Sequence, residues 1–312
     1  MISFGEGRKI STVVISTACG YDGQGIFPYT THRDYGDMIR AANATGTTRI
    51  SKSMTRHKRS GNFHLWRPWT WKYIQNLGDD GMLNSYGLTN KGVEKHSRGI
   101  IKAIKDDITV IPSFFPEFGK GIGLAAEDTL EAVTLFMEQV WPTEKFWAIE
   151  LNFSCPNTRE DILKNTGGAL WCVKRVKVSY PSLIIIAKIS VVHPPEFARQ
   201  LREIGTDVLH AVNTIPFDLL FSNKLSPLHK VGGGGVSGGP AFEMAFEYNS
   251  KVIEFFRGPV ILGCGITDDK KLGRYVDLLE RYAPPEGWAI SLCTAALRRP
   301  EWVEEVIHNF NE

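Results

Sequence analysis

Ala148-Ile-Glu-Leu-Asn-Phe-Ser-Cys-Pro-Asn157 is the stretch from which the rest of this chain can be read. Apolar Ile149 and Leu151 alternate with their neighbours and then run into hydrogen-bonding side chains with one thiol among them. A buried strand ends in Asn, Ser, Cys and Asn only when those groups have something to bind. Pro156 stops the strand and biases Cys155 towards an extended, non-helical conformation. The stretch therefore reads as a strand that carries a thiol and two amides to its C-terminal end. The alternative is a polar turn holding a structural cysteine.

Working outward, short apolar or β-branched runs recur, most of them followed by a helical pattern. Strands are expected at 13–16, 48–51, 109–113, 148–152, 183–187, 208–212, 260–262 and 289–292. Helices are expected at 34–44, 90–105, near 168–178, 195–204 and 302–310. Another carries a stripe at Ala126, Leu130, Val133, Met137 and Val140, and another, opened by Pro240, has Phe242, Ala245, Phe246, Ile253 and Phe256 on one face. Thr267, Asp268 and Asp269 make a good helix start, with acids at the positive end of the dipole. Two stretches, 54–89 and 215–230, read as long irregular loops, and loops of that length are usually functional. Continuous apolar strands alternating with helices indicate parallel units covered on both faces. Eight of them close an α/β (β/α)8 TIM barrel, with a doubly wound open sheet as the competitor. No boundary or linker divides residues 1–312, so a single barrel domain is expected.

The totals set limits. The chain has 312 residues, 43% of them hydrophobic, with 36 basic and 34 acidic residues and a net charge of +2. That balance gives no reason to expect nucleic acid or a membrane as a partner. The five cysteines form no Cys-x-x-Cys pair, which argues against an iron–sulfur cluster in this chain and calls for no metal. Their odd number, and the lack of a leader pattern, point to a reduced, cytoplasmic setting.

In this register the unusual polar residues fall just after strands: Cys19 and Gly20, Lys52 and Ser53, Ser113, Asn152 with Cys155 and Asn157, Lys188, Asn213 with Thr214, 263–265, and Cys293 with Thr294. That is the C-terminal mouth of a barrel, where such folds keep their sites. The glycine run 232–239 and the turn Gly263-Cys-Gly265 would let backbone N–H groups approach a phosphate, or would simply be flexible. Lys52 and Lys188 at strand ends either meet an anion or electron-rich ligand, or snorkel to solvent. Cys155 suits a general base or a covalent nucleophile, although its motif contains no histidine.

These residues resemble those of the dihydroorotate dehydrogenases, FMN-dependent barrel enzymes of pyrimidine biosynthesis. The matching pieces are Ala18-Cys-Gly20, Lys52-Ser53 with Arg59-Ser-Gly-Asn62, Gly81-Met-Leu-Asn-Ser-Tyr-Gly-Leu88-Thr-Asn90, and Glu150-Leu-Asn-Phe-Ser-Cys-Pro-Asn157. Lys188, Val212-Asn-Thr-Ile215, Gly234-Gly-Val-Ser-Gly238 and Gly265-Ile266 complete a resemblance that covers essentially the whole chain. It implies that Cys155 is the base of the soluble class, removing the C5 proton of dihydroorotate while hydride passes from C6 to flavin N5. Substrate contacts would fall to Lys52, Asn84, Gly87, Leu88, Asn152, Asn157, Asn213 and Thr214. FMN would be held by Ala18, Gly20, Lys52, Ser53, Ser113, Asn152, Lys188, Gly238, Cys264, Gly265, Cys293 and Thr294, with Lys188 at the N1–O2 edge of the ring. A homodimer is implied, and an electron-transfer subunit is possible, with the electron acceptor open.

Several positions depart from the family pattern. Cys264 and Cys293 replace glycines in the phosphate-binding turns, and Ser190-Val-Val-His193 replaces a proline-rich turn after Lys188. An extra piece, Ala283-Pro-Pro-Glu-Gly287, precedes the last strand. The insert Trp66-Arg-Pro-Trp-Thr-Trp71 would shape access or dock a partner, or else pack onto the barrel, which is the expectation. The alternative functions are a flavin oxidoreductase acting on another dihydropyrimidine or an unsaturated carbonyl compound, and a flavin-binding homologue without turnover.

Overall fold

The structure is a computed structural model that describes residues 1–140, 146–154 and 165–311. Its main sheet is wholly parallel and runs, in neighbour order, Val110–Ile111, Arg49–Ile50, Val13–Ser16, Trp288–Leu292, Val260–Gly263, Val208–Ala211, Ile184–Ile189, Ala148–Asn152 and Ser113–Phe114. The two edge segments are consecutive in the chain, separated only by Pro112. Val110–Ile111 pairs with the second strand and Ser113–Phe114 with the fourth, so the third strand closes the circle. Pro112 has no N–H to give, yet its carbonyl accepts from Glu150 N at 2.8 Å. The fold is the expected (β/α)8 barrel, with the third strand broken at Pro112 and carried on to Phe114.

Alternation along the strands fills the interior in layers. Val14, Ile50, Ile111, Ala148, Ile186, Val208, Ile261 and Ala289, one from each strand, form a buried apolar layer. Ile2 and Ile10 join it from the hairpin Ile2–Ser3/Lys9–Ile10, which stops the N-terminal end of the barrel. Gly287, from the extra piece before the last strand, bridges to Ile2, so that piece serves the same end. Two residues further along each strand stand Ser16, Lys52, Ser113, Glu150, Lys188, His210, Gly263 and Ser291. The interior thus changes from apolar to polar in one step towards the C-terminal mouth.

The helices form the outer shell with small shifts in boundary and face. On Ile122–Val140 the buried line is Ala125, Ala126, Thr129, Ala132, Val133 and Phe136. Ala126 and Val133 are buried as expected, while Leu130 and Met137 are half-buried, so the line is centred about one position from the expected stripe. Small side chains on that line let the helix lie close to its neighbour, and Thr129 touches Cys172 there at 3.7 Å. The helix expected from residue 90 begins at Val93, because Asn90 accepts from the Gly92 N–H at 2.8 Å and holds the entry turn. Pro240 lies in a 3-10 turn, Gly239–Ala241, ahead of the helix Phe242–Phe256. Asp268 caps Asp269–Tyr282 by accepting from Lys271 N, as the sequence indicated.

The two long loops are not irregular. The first supplies Ile74–Asn76 and Met82–Asn84, the second Ile215–Pro216, and the glycine run supplies Gly235–Ser237 between them. Together they make a four-stranded sheet of order Ile215–Pro216, Gly235–Ser237, Met82–Asn84 and Ile74–Asn76. This antiparallel sheet forms between segments about 150 residues apart, and no local periodicity announces such a pairing. It also explains part of the glycine run: a Cβ on Gly234 would lie 2.9 Å from Leu83 Cδ1 and 3.0 Å from the Asn84 carbonyl. A side chain there would push the two strands apart.

Candidate functional site

The polar layer opens into a cavity of about 360 Å³ at the C-terminal mouth. That falls within the usual range of about 300–1,000 Å³ for small-molecule sites. Among the expected residues, Ala18, Lys52, Ser53, Asn84, Leu88, Asn152, Lys188, Asn213, Thr214, Gly238, Cys264, Gly265, Cys293 and Thr294 all line it. Gly20, Gly87 and Ser113 do not. Cys155 and Asn157 lie outside the described residues.

The supporting residues are close behind the wall. Gly20, at φ +80°, accepts the Lys52 N–H on its carbonyl at 2.9 Å, and a Cβ there would sit 2.8 Å from the Gly25 oxygen. Gly87 turns the chain at φ +74° and receives Arg59 Nε at 3.3 Å. Ser113 lies beneath Ser53, with the two hydroxyls 2.8 Å apart.

Lys188 is central. Its Nζ is buried, and among the described residues its one hydrogen bond is to Ser16 Oγ at 3.2 Å. An ammonium has three donors, so this one carries spare donors into the cavity. Its strand neighbours in register are Asn152 on one side and His210 on the other. Asn152 is oriented from both ends: Nδ2 donates to Ser53 Oγ at 2.8 Å, and Oδ1 accepts from Ser154 N at 3.1 Å and Ser154 Oγ at 2.8 Å. Asn213 reaches the same Ser154 hydroxyl at 3.1 Å. Lys52 Nζ lies 3.6 Å over the Tyr86 ring, a cation–π contact that fixes it at the opposite wall.

Below Lys188 is a network that the sequence did not single out. Glu150 is fully buried; it accepts Ser113 Oγ at 2.6 Å on one oxygen and faces His210 Nδ1 at 2.5 Å on the other. His210 Nε2 is 3.1 Å from Ser291 Oγ. Burial works to push the Glu150 carboxyl up, but the Lys188 charge and the hydrogen bonds from His210 and Ser113 outweigh it and hold it below the usual range. Burial, and then the Lys188 charge, push His210 down despite the carboxylate beside it. A neutral His210 beside an ionised Glu150 follows. Ser16, His210, Ser291 and Tyr86 all line the cavity. The signal for the first three was the period of two itself: each stands two positions after an inward apolar residue.

On the far wall, Cys264 has φ +77°, a left-handed conformation that suits glycine. Burial, then Cys293, push its thiol up to about 12. Cys293 Sγ is 3.1 Å from Thr17 Oγ1, and Thr294 donates to Ser237 Oγ at 2.8 Å, tying the last loop to the antiparallel sheet. Of the glycine run, only Gly238 reaches the cavity, together with its neighbour Ser237. The tryptophan insert does not pack onto the barrel: Trp66, Trp69 and Trp71 are 83%, 69% and 51% exposed. Pro68–Tyr73 forms a 3-10 turn whose one buried residue is Thr70, so the indoles are left outside.

Residues 15–268 match the family model described as dihydroorotate dehydrogenase. The chain belongs to the dihydroorotate dehydrogenase family. Members of this family are oxidoreductases acting on a CH–CH donor, flavin-dependent in general. Among similar curated proteins is a Bacteroides thetaiotaomicron "Dihydroorotate dehydrogenase B (NAD(+)), catalytic subunit", 30% identical over 252 residues, 79% of this chain and 74% of that one. A Porphyromonas gingivalis protein of the same name is 30% identical over 245 residues, covering 76% and 69%. In fold the chain is similar to the ligand-free Eimeria tenella DHODH, with a TM-score of 0.69 at 15% identity over 96% of this chain and 83% of that one. Among the described residues, no helix is long and apolar enough to cross a membrane, and no three metal-ligating side chains cluster.

The cavity suits the family's flavin. A flat ring needs amide and hydroxyl partners along its edge and a cation where charge accumulates. Ser53, Asn152 and the spare donors of buried Lys188 form such a set on one wall. Gly238, Gly265, Cys293 and Thr294 line the cavity on the other.

Proposed function

We propose that this chain, as a single FMN-binding barrel over residues 1–312, oxidises dihydroorotate to orotate in pyrimidine biosynthesis. The observation that carries this reading is Lys188: a buried ammonium, in register with Asn152, whose one described hydrogen bond leaves donors facing a cavity of ligand size. FMN bound there would accept a hydride. Ala18, Gly20, Lys52, Ser53, Ser113, Asn152, Lys188, Gly238, Cys264, Gly265, Cys293 and Thr294 are its proposed holders, Gly20 and Ser113 acting from behind the wall.

Dihydroorotate is a small cyclic ureide with a carboxylate, and its ring becomes flat on oxidation to orotate. Lys52 offers the cation, while Asn84, Asn152, Asn157, Asn213 and Thr214 offer groups for the ring edges, and Gly87 with Leu88 shapes the turn beside them. Cys155 is the proposed base. It follows Ser154, whose hydroxyl already meets Asn152 and Asn213, so the strand end that carries the thiol is held by substrate-facing amides. Cys155 would take the C5 proton, a step that needs the thiolate and so is expected to speed up with pH.

The names of the relatives as NAD-linked catalytic subunits support an electron-transfer subunit as partner, and a homodimer and a cytoplasmic setting complete the proposal. Purified protein is expected to be yellow, and anaerobic dihydroorotate to bleach the flavin band. A colourless protein that takes up no FMN would sink the reading. Cys155→Ala is expected to keep the flavin and slow bleaching by about 10²–10⁴-fold; an unchanged rate would put the base elsewhere.

A further inference from the structure

Lys188 presents its charge to the cavity in company. Two donor chains converge on the Glu150 carboxylate below it. In one, Asn152 donates to Ser53, whose hydroxyl is 2.8 Å from Ser113, and Ser113 donates to Oε1 at 2.6 Å. In the other, Ser291 meets His210 Nε2 at 3.1 Å, and His210 Nδ1 meets Oε2 at 2.5 Å. A carboxylate has only acceptors, so the last member of each chain must donate to it. With Nδ1 as donor, neutral His210 leaves Nε2 to accept from the Ser291 hydroxyl, and every contact is matched.

An imidazolium donating from Nε2 to the Ser291 oxygen would satisfy the same contacts, and charge counting decides for the neutral ring. Glu150 is 0% exposed, His210 1% and Lys188 5%. Buried charges must be balanced, because an isolated one is costly to remove from water. One carboxylate balances one cation. An imidazolium beside Lys188 would leave the buried group with an excess positive charge, whereas a neutral His210 leaves none.

We propose that Glu150 and His210 are positioning residues that set how much of the Lys188 charge reaches the flavin ring. The inference rests on the flavin reading above. Glu150 allows Lys188 to be buried as a cation, and in doing so it cancels part of the field that the ring feels. His210 contributes by staying neutral and holding the carboxylate with its Nδ1–H. The pair therefore opposes the stabilisation that Lys188 alone would give to the negative charge that reduction places on the ring. The flavin of this chain is a weaker oxidant than one facing an unopposed lysine.

The test is the midpoint potential of the bound flavin in Glu150→Gln, which keeps the shape of the side chain and removes its charge. The potential is expected to rise, with the oxidised–reduced equilibrium shifted tenfold or more, about 30 mV for two electrons. A purely structural role would lower flavin occupancy and leave the potential of the bound fraction unchanged; that result, or a fall, overturns the proposal. A second measurement needs neither the variant nor the flavin: nitrogen-15 NMR of His210 in the wild-type protein. A neutral ring protonated at Nδ1 at pH 7 is expected. An imidazolium at pH 7 overturns the proposal, since it would cancel Glu150 and leave Lys188 unopposed. A protein that takes up no FMN is recognised separately by its lack of colour and overturns both this inference and the flavin reading.

Discussion

The floor and the rim of the cavity are both rich in residues that look functional, and they are built by opposite means. At the floor, Glu150, Lys188 and His210 are buried on neighbouring barrel strands; His210 meets Glu150 at 2.5 Å, and Lys188 bonds Ser16 at 3.2 Å. At the rim, Trp66, Trp69, Trp71 and Phe27 stand 51–83% exposed on turns. Floor side chains are fixed by strand register, so each has one place and one set of partners. Rim side chains are fixed by little beyond a stack of Phe27 on Trp66 at 6.1 Å and a bond from Trp71 Nε1 to the Leu65 carbonyl at 2.9 Å. The floor therefore has large energies that oppose one another, and the rim has small ones.

The difference is sharpest at Lys188. Replacing it with alanine removes the cation and leaves the Glu150 carboxylate buried without its counter-charge. Breaking a buried pair from one side costs about 3–5 kcal/mol. Lys188 and Glu150 are not in direct contact, so Lys188→Ala is expected to lose less than that in urea unfolding, about 1–3 kcal/mol, and to purify without flavin. The double variant Lys188→Ala/Glu150→Gln should recover a good part of the stability but not the flavin. A single variant as stable as wild type would show that the floor is not a charge-balanced unit.

The same contrast explains what could be read from the sequence. Strand ends marked the mouth because Lys52, Asn152, Lys188, Asn213 and Thr294 each follow an apolar run. That pattern is local. Glu150, His210 and Ser291 lie inside the runs, where they look like interruptions; only the alternation with Ala148, Val208 and Ala289 shows that they point inward. The antiparallel sheet was not legible, since Gly235 pairs with Asn84 across the chain and neither segment carries the pattern alone. The tryptophans were misjudged for a related reason. Hydrophobicity predicts burial only where a neighbouring surface is available, and a 3-10 turn at the rim has none on its outer side.

Behind the floor, the turn after Lys188 makes the comparison depend on pH. His193 is buried, and its Nδ1 lies 3.1 Å from the Ser190 N–H, which it can accept as a neutral ring, and 3.3 Å from the Ser190 carbonyl. Burial pushes it down from 6.5 to about 4. The unfolded chain therefore takes up this proton first as the pH falls. The His193 contribution is complete above about pH 6.5, is lost progressively towards pH 4, and changes no further below that. The loss is on the order of 3 kcal/mol. His193→Asn, which keeps an acceptor for the N–H, is expected to show a smaller fall in urea midpoint between pH 7 and 4.5. An equal fall would place the acid sensitivity in other groups.

On the far wall, Cys264 holds a left-handed conformation that costs a side-chain-bearing residue about 1–2 kcal/mol. Glycine would relieve it but would give back about 0.5–1 kcal/mol of chain entropy. Cys264→Gly is thus expected to raise stability by about 0.5 kcal/mol in urea unfolding. A loss greater than 1 kcal/mol would mean that the half-buried thiol contributes more by packing than it costs in strain.

The smallest effect is expected at the rim. Trp66 is 83% exposed, and its one ring contact is the Phe27 stack. Trp66→Ala removes area that is already in water, so stability should stay within about 0.5 kcal/mol of wild type, with flavin loading unchanged. Trp71→Ala should cost somewhat more, because it loses a hydrogen bond worth about 1 kcal/mol or less at an exposed position. Their order is informative beyond its size. If Trp66 proved the costlier of the two, its indole would be engaged in solution by a surface that the isolated chain does not supply, and the rim would share the constraints of the floor.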